Sequence, residues 1–342
     1  MPTGNVRFSL VAGVLLTGLH LEGQSVPAEQ PPQKLLRLPG ATLLVGDPPR
    51  RLFLVTEDKV VALQNNQGAP GFIRPSFSSD GSVVVSGLPT DPPERSPRNV
   101  VRTYSVKEKK WTDHQIVIYG GASISSDGSQ LAFQADEGRP DRVRILDTKA
   151  GEVRTGHVSS KLRILTTKGG QVTILSTPRR TGSIVSWSPD GRRIVLDGVW
   201  EPTVDENTFR QVDPSIYVFD VSTGMVARIA EGMAPSSSPS GEWIAYIADA
   251  PDSQFTLRAP RFRVRLVRPD GTDARDIMDF GSWVLPNLAP VWSPDSKTLL
   301  VNVSNNPDEG TVDIYQVDVE TRKRTRKVKG TRHLVFGWVA AK

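Results

Sequence analysis

The sequence predicts an all-β protein built as a propeller, on three observations. A turn motif returns five times, a second strand pair returns between those turns, and the last strand finds its missing partners at the opposite end of the chain. The composition agrees: 29 Gly and 27 Pro beside 37% hydrophobic residues suit many short strands and tight turns better than long helices.

The turn motif is clearest in SIVSWSPDGRRIVLDG, residues 183–198, where an apolar run stops on Ser188-Pro189-Asp190-Gly191 and resumes. Pro189 presets φ at the first central position, Asp190 bonds nearby backbone, and Gly191 takes left-handed backbone, so the reading is strand, tight turn, strand. Aligned versions start at Arg74, Gly121, Ala234 and Ala289, which puts the turn positions at Asp80, Asp127, Asp190, Ser240 and Asp295. Their spacings of 47, 63, 50 and 55 residues give a period near that of propeller blades. Between them recur VRTYSVKEKKW, VRILDTKAGEV, IYVFDVSTGMVARI, VRLVRPDGTDARDI and IYQVDVETRKRT, each an alternating strand, a polar turn and a second strand. Every repeat therefore supplies four antiparallel strands, A and B around the turn, then C and D.

The two ends complete the count. RHLVFGWVAAK reads as a lone strand A with Trp338 placed like Trp187 and Trp292, while ATLLVGDP, RRLFLVTED and KVVALQNNQG supply three strands near the N-terminus. Sharing one blade between the termini gives six blades and removes the open sheet edges. The long second spacing holds KLRILTTKG and QVTILST, read as an inserted hairpin, with a seventh, degenerate blade as the rival count.

The P-x-W-S-P-D-G signature followed by an apolar strand resembles the WD40-like repeats of TolB-type propellers, a periplasmic six-bladed module also related to the propellers of prolyl oligopeptidases. The resemblance covers residues 35–342, without the N-terminal α/β domain of TolB and without a hydrolase domain. It implies that Asp80, Asp127, Asp190 and Asp295 build turns and that the tryptophans pack between blades.

Several functions are disfavoured by what the chain lacks. It holds no G-x-S-x-G, Walker loop, G-x-G-x-x-G or H-E-x-x-H sequence, and no cysteine, which removes disulfides and thiol chemistry. Of four histidines, His20 falls in the leader and His114, His157 and His333 lie on separate repeats, a poor start for a transition-metal site. The net charge of +5 comes from TRKRTRKVKGTR, residues 321–332; without its seven cations the remainder carries −2. That concentration argues against a nucleic-acid role for the whole surface and suits a cationic outer strand protected from edge pairing, with an anionic partner as the alternative.

Residues 1–28 read as a signal peptide, with Arg7, an apolar stretch from Phe8 to Leu21 and Val26-Pro27-Ala28 at the cleavage site. An uncleaved anchor is the alternative, although this stretch is short for a span. Residues 29–34 form a linker, and the expected location is periplasmic or secreted. The B-to-C loops are the longest, and long loops on a rigid scaffold usually carry function. They place Asp136, Glu137, Asp205, Glu206, Asp249, Asp252, Asp308 and Glu309 on one rim, with Trp200 and Phe209 as apolar anchors. These residues either bind a protein or peptide partner or simply solvate the loops. No cofactor is required, though carboxylates gathered there are able to hold Ca²⁺. The expected function is an exported binding or scaffolding propeller, with a metal-dependent lactonase or sugar-processing enzyme at the channel as the alternative.

Overall fold

The computed structural model describes residues 35–47, 51–63, 73–89, 98–135, 142–147, 175–176, 180–199, 215–223, 225–249, 262–279, 288–306 and 310–341. The expected leader and linker lie outside the described residues, as does most of the B-to-C loop sequence. Gln33–Lys342 forms one compact unit.

The strands follow the predicted order. The first three are β1 (Ala41–Asp47), β2 (Arg51–Val55) and β3 (Val60–Ala62). Next come β4 (Ile73–Phe77), β5 (Val83–Pro89), β6 (Arg98–Ser105), β7 (Lys110–Ile124), β8 (Gln130–Ala135), β9 (Arg142–Asp147) and β10 (Leu175–Ser176), which form one seven-stranded sheet in sequence order. Three four-stranded sheets follow. They are β11 (Arg180–Trp187), β12 (Arg193–Val199), β13 (Ser215–Asp220) and β14 (Val226–Glu231); β15 (Met233–Ser237), β16 (Ile244–Asp249), β17 (Phe262–Val267) and β18 (Arg275–Asp279); and β19 (Val291–Trp292), β20 (Thr298–Asn306), β21 (Thr311–Asp318) and β22 (Arg324–Thr331). Finally β23 (Leu334–Ala340) returns to pair with β1, giving the order β23-β1-β2-β3. Every recorded pairing is antiparallel, and Leu43 faces Val55 on one side and Trp338 on the other. The terminal strands thus share one sheet, as predicted from the unmatched ends.

The seven-stranded sheet departs from separate blades because β7 is continuous for 15 residues. Its first half pairs with β6 and its second half with β8, with register shifts at Val100/Arg102 and Ile118/Ala122. The sheet folds on itself at that strand, so Val85 and Val101 pack against Ile124, Leu131 and Phe133. Of the two runs read as an inserted hairpin, residues 161–174 lie outside the described residues; Leu175 and Ser176 form β10, which pairs with Val143 and Arg142 of β9.

Burial follows from the sheet geometry. A sheet covered on both faces must be apolar on both, and β13 and β16 are each buried along five successive residues. Among the described residues six buried apolar clusters form, each joining one sheet, or one half of the seven-stranded sheet, to the next. The cluster of Leu43, Val45 and Phe53 with Leu300, Ile314 and Val335 joins the last sheet to the first.

Candidate functional site

The inner strands are shaped by the repeated turn. At the third turn the buried Ser188 hydroxyl donates to Asp190 Oδ1 at 2.5 Å and accepts the Arg193 amide at 2.9 Å, while the Arg192 amide donates to the same carboxylate at 3.0 Å. Gly191 takes φ 67° and its amide donates to the Ser188 carbonyl. The same bonds recur around Ser78 and Asp80, Ser125 and Asp127, and Ser293 and Asp295. At the fourth turn Ser240 stands in for the aspartate. At the fifth, Ser296 adopts φ 61° where the others have glycine, and its hydroxyl accepts the Ser240 amide of the neighbouring turn at 2.8 Å. All four aspartates are therefore turn builders, held by hydroxyls and amides.

Just before the turns, neighbouring inner strands bond to one another, across sheet boundaries and, for β4 and β7, within the seven-stranded sheet. Trp187 Nε1 donates to the Ser123 carbonyl at 3.1 Å, and Trp292 Nε1 to the Ser236 carbonyl at 2.9 Å. The Ser237 amide donates to the Ser186 hydroxyl at 3.1 Å, and the Ser76 hydroxyl to the Ala122 carbonyl at 3.4 Å. The serine two positions before the turn serine, at 76, 123, 186 and 236, thus joins neighbouring inner strands. Sequence reasoning singled out the tryptophans and passed over these serines, whose recurrence in PSFS, ASIS, VSWS and PSSS was the available signal.

These strands enclose a cavity of about 360 Å³ along the axis, lined by segments of β4, β7, β11, β15, β23 and the stretch 288–294 around β19. Serines, prolines and aromatic residues dominate the lining, which includes Trp187, Trp292 and Trp338. Among the described residues that line it there is no Asp, Glu, Lys, Arg or His. The Ser237 hydroxyl in this wall is buried and makes no hydrogen bond among the described residues. Such a surface is suited to apolar contact with a few neutral hydrogen bonds, and its volume is in the range of ligand sites.

The acidic rim is not brought together by the described residues. Asp136, Glu137, Trp200, Asp205, Glu206, Phe209, Asp252, Asp308 and Glu309 lie outside them, and Asp249 is exposed at the end of β16. No group of three or more His, Cys, Asp or Glu that suits a metal occurs among the described residues. His114 contacts the Thr103 hydroxyl at 2.8 Å and His333 the Thr331 hydroxyl at 3.1 Å; burial lowers the pKa of both rings. His114 lies on β7 and His333 between β22 and β23, while His20 and His157 lie outside the described residues.

The fold and this channel together define a β-propeller with four-stranded antiparallel blades and an axial cavity whose described lining carries no charged side chain. No protein-family model matches the chain, and no curated protein matches it. Among solved structures, TolB from Acinetobacter baumannii is similar with a TM-score of 0.59 at 14% identity, over 88% of this chain and 66% of that one. A putative TolB from Agrobacterium tumefaciens gives 0.57 at 15% identity, over 88% and 98%. Oligogalacturonate lyase from Vibrio parahaemolyticus gives 0.46 at 14% identity, over 84% and 73%. The fold is that of TolB-like propellers, and the chain spans just under two thirds of the length of the Acinetobacter protein.

Proposed function

We propose that this chain is an exported binding propeller of six blades that recognises a protein or peptide segment at the mouth of its channel. The observation that carries this reading is the lining itself: serine hydroxyls, prolines and tryptophans, with no ionisable side chain among the described lining residues. Neutral hydroxyls and aromatic faces hold a chain segment through backbone hydrogen bonds and apolar contact. General acid-base or metal-assisted hydrolysis needs carboxylates or imidazoles facing the substrate, and the described residues of this wall offer none to support the lactonase or sugar-processing alternative. The six-blade count is supported by six inner segments around the cavity and six apolar clusters between sheets, with β7 serving two blades. Export is supported by the leader pattern of residues 1–28 and by the fold's likeness to TolB structures. No described helix is long and apolar enough to cross a membrane.

The test is affinity capture from a periplasmic extract with three baits: the native chain, Ser126→Trp, which places a bulky ring in the channel wall, and Trp200→Ala in the longest B-to-C loop. The expected result is a stoichiometric protein retained by the native bait and lost with Ser126→Trp. Loss with Trp200→Ala alone moves the site to the loop-rich face. A melting temperature raised by Ca²⁺ together with turnover of a lactone or oligosaccharide replaces the binding reading with the enzymatic one.

A further inference from the structure

The outer strands of the sheets differ sharply in charge. On β14, Arg228 is paired with Glu231 at 2.8 Å, and at the β17–β18 edge Arg263 and Arg265 both reach Asp276 at 2.7 Å. The outermost strand of the last sheet, β22, contains no acidic residue, and it is flanked by further cations. Arg322, Lys323, Arg324, Arg326, Lys327, Lys329 and Arg332 are all exposed. Arg326 reaches the buried Asp313 at 3.2 Å, and Arg324 donates to the Asp279 carbonyl at 3.0 Å. Among the described residues no ion pair is made by Arg322, Lys323, Lys327, Lys329 or Arg332. Charged side chains protect an exposed edge from pairing, and the seven cations here form a run along it.

We propose that β22 is a docking edge for the surface of a bilayer containing anionic phospholipid. Three features favour this partner. Among the described residues the strand pairs only with β21, so its eight residues present cations along about 26 Å of edge, a line instead of a groove. Residues 321–332 contain no aromatic side chain on which a nucleobase would stack. The polypeptide also enters the propeller on this seam, because Leu36 and Leu38 pack in the cluster that includes Ile314 of β21 and is covered by Val328 of β22. Lysines and arginines beside an anionic leaflet are attracted within a Debye length, and their effects accumulate along such an edge. This docking is independent of what enters the channel.

The test is co-sedimentation of the exported chain with vesicles of phosphatidylcholine containing phosphatidylglycerol, and with vesicles of phosphatidylcholine alone. Lys323→Gln, Lys327→Gln and Lys329→Gln are combined in one variant. A control variant removes equal charge elsewhere, through Lys107→Gln, Lys110→Gln and Lys297→Gln, all exposed in the native chain. Melting curves establish that both variants fold. The expected result is binding to the anionic vesicles alone, weakened about 10-fold or more by the β22 variant and less than about 3-fold by the control, and falling steeply with salt. Equal weakening by the two variants overturns the proposal, as does an absence of binding to anionic vesicles. Retention by polyphosphate or duplex DNA without vesicle binding overturns it in favour of a soluble polyanion.

Discussion

Asp127 lies in a ring of donors: the Ser125 and Ser129 hydroxyls at 2.6 and 2.7 Å and the Ser129 amide at 3.0 Å. Those bonds favour the carboxylate and hold its pKa down to about 2; Asp220 is held at about 2 in the same way by Ser222 and Thr223. An unfolded aspartate titrates near pH 4, so below that pH the unfolded chain takes up protons that the folded chain refuses. The contribution of these turns is therefore complete above about pH 4 and disappears as the pH falls toward about 2. Urea denaturation at pH 7, 4 and 3 is expected to show falling midpoints, and Asp127→Asn to lower the midpoint at pH 7 while flattening the fall. Asp and Gly were legible at each turn because their chemistry is particular to turns. The partner serine was less so, since serine is common in loops and only its burial shows that it bonds both the aspartate and the following strand.

At the next scale, two polar side chains on second strands fasten one sheet to the next. Asn302 on β20 donates through Nδ2 to the Val335 carbonyl at 2.9 Å and accepts the Val335 amide at 3.0 Å, gripping both backbone groups of β23. Asp197 on β12, at the same offset from its turn, accepts the Ala234 amide at 2.9 Å. The corresponding positions in other repeats are Gly87, Gln134 and Ile247, so no recurrence in the sequence marks the role. The tryptophans were visible because they do recur. Their indole bonds were not, since the acceptor is a carbonyl of the neighbouring strand. These differences set an order of sensitivity. Trp187→Phe keeps most of the buried ring and loses one bond, costing about 1 kcal/mol. Asn302→Leu leaves two backbone groups without this partner in a buried site and is expected to cost about 2–3 kcal/mol. Chemical denaturation of both variants checks the ranking; an Asn302→Leu chain as stable as the native one sinks the argument. Gly337 adds a steric limit on β23, because a Cβ there lies 2.7 Å from the Phe77 ring.

Across the molecule, closure depends on a single strand. β23 supplies the innermost strand of the first sheet, and its Val335 belongs to the apolar cluster joining that sheet to the last. Removing residues 332–342 is expected to abolish cooperative thermal unfolding, as read by calorimetry, instead of merely lowering the melting temperature. The architecture was legible because the period and the unmatched ends are global patterns that survive local variation. The candidate channel was less legible, since a wall drawn from six distant segments has no contiguous sequence, and the long loops drew attention first. The pairing of Leu43 with Trp338 also sets a schedule for the living chain. A polypeptide synthesised N-terminus first delivers β1 long before its inner neighbour β23, so Leu43, Leu44 and Val45 wait without that strand while the intervening sheets are made. Contacts so distant in sequence form late, and the waiting surface is sticky. Closure of the first sheet therefore waits on the synthesis of Leu334–Ala340, and a holding chaperone that covers that sheet has its greatest value just before this strand arrives.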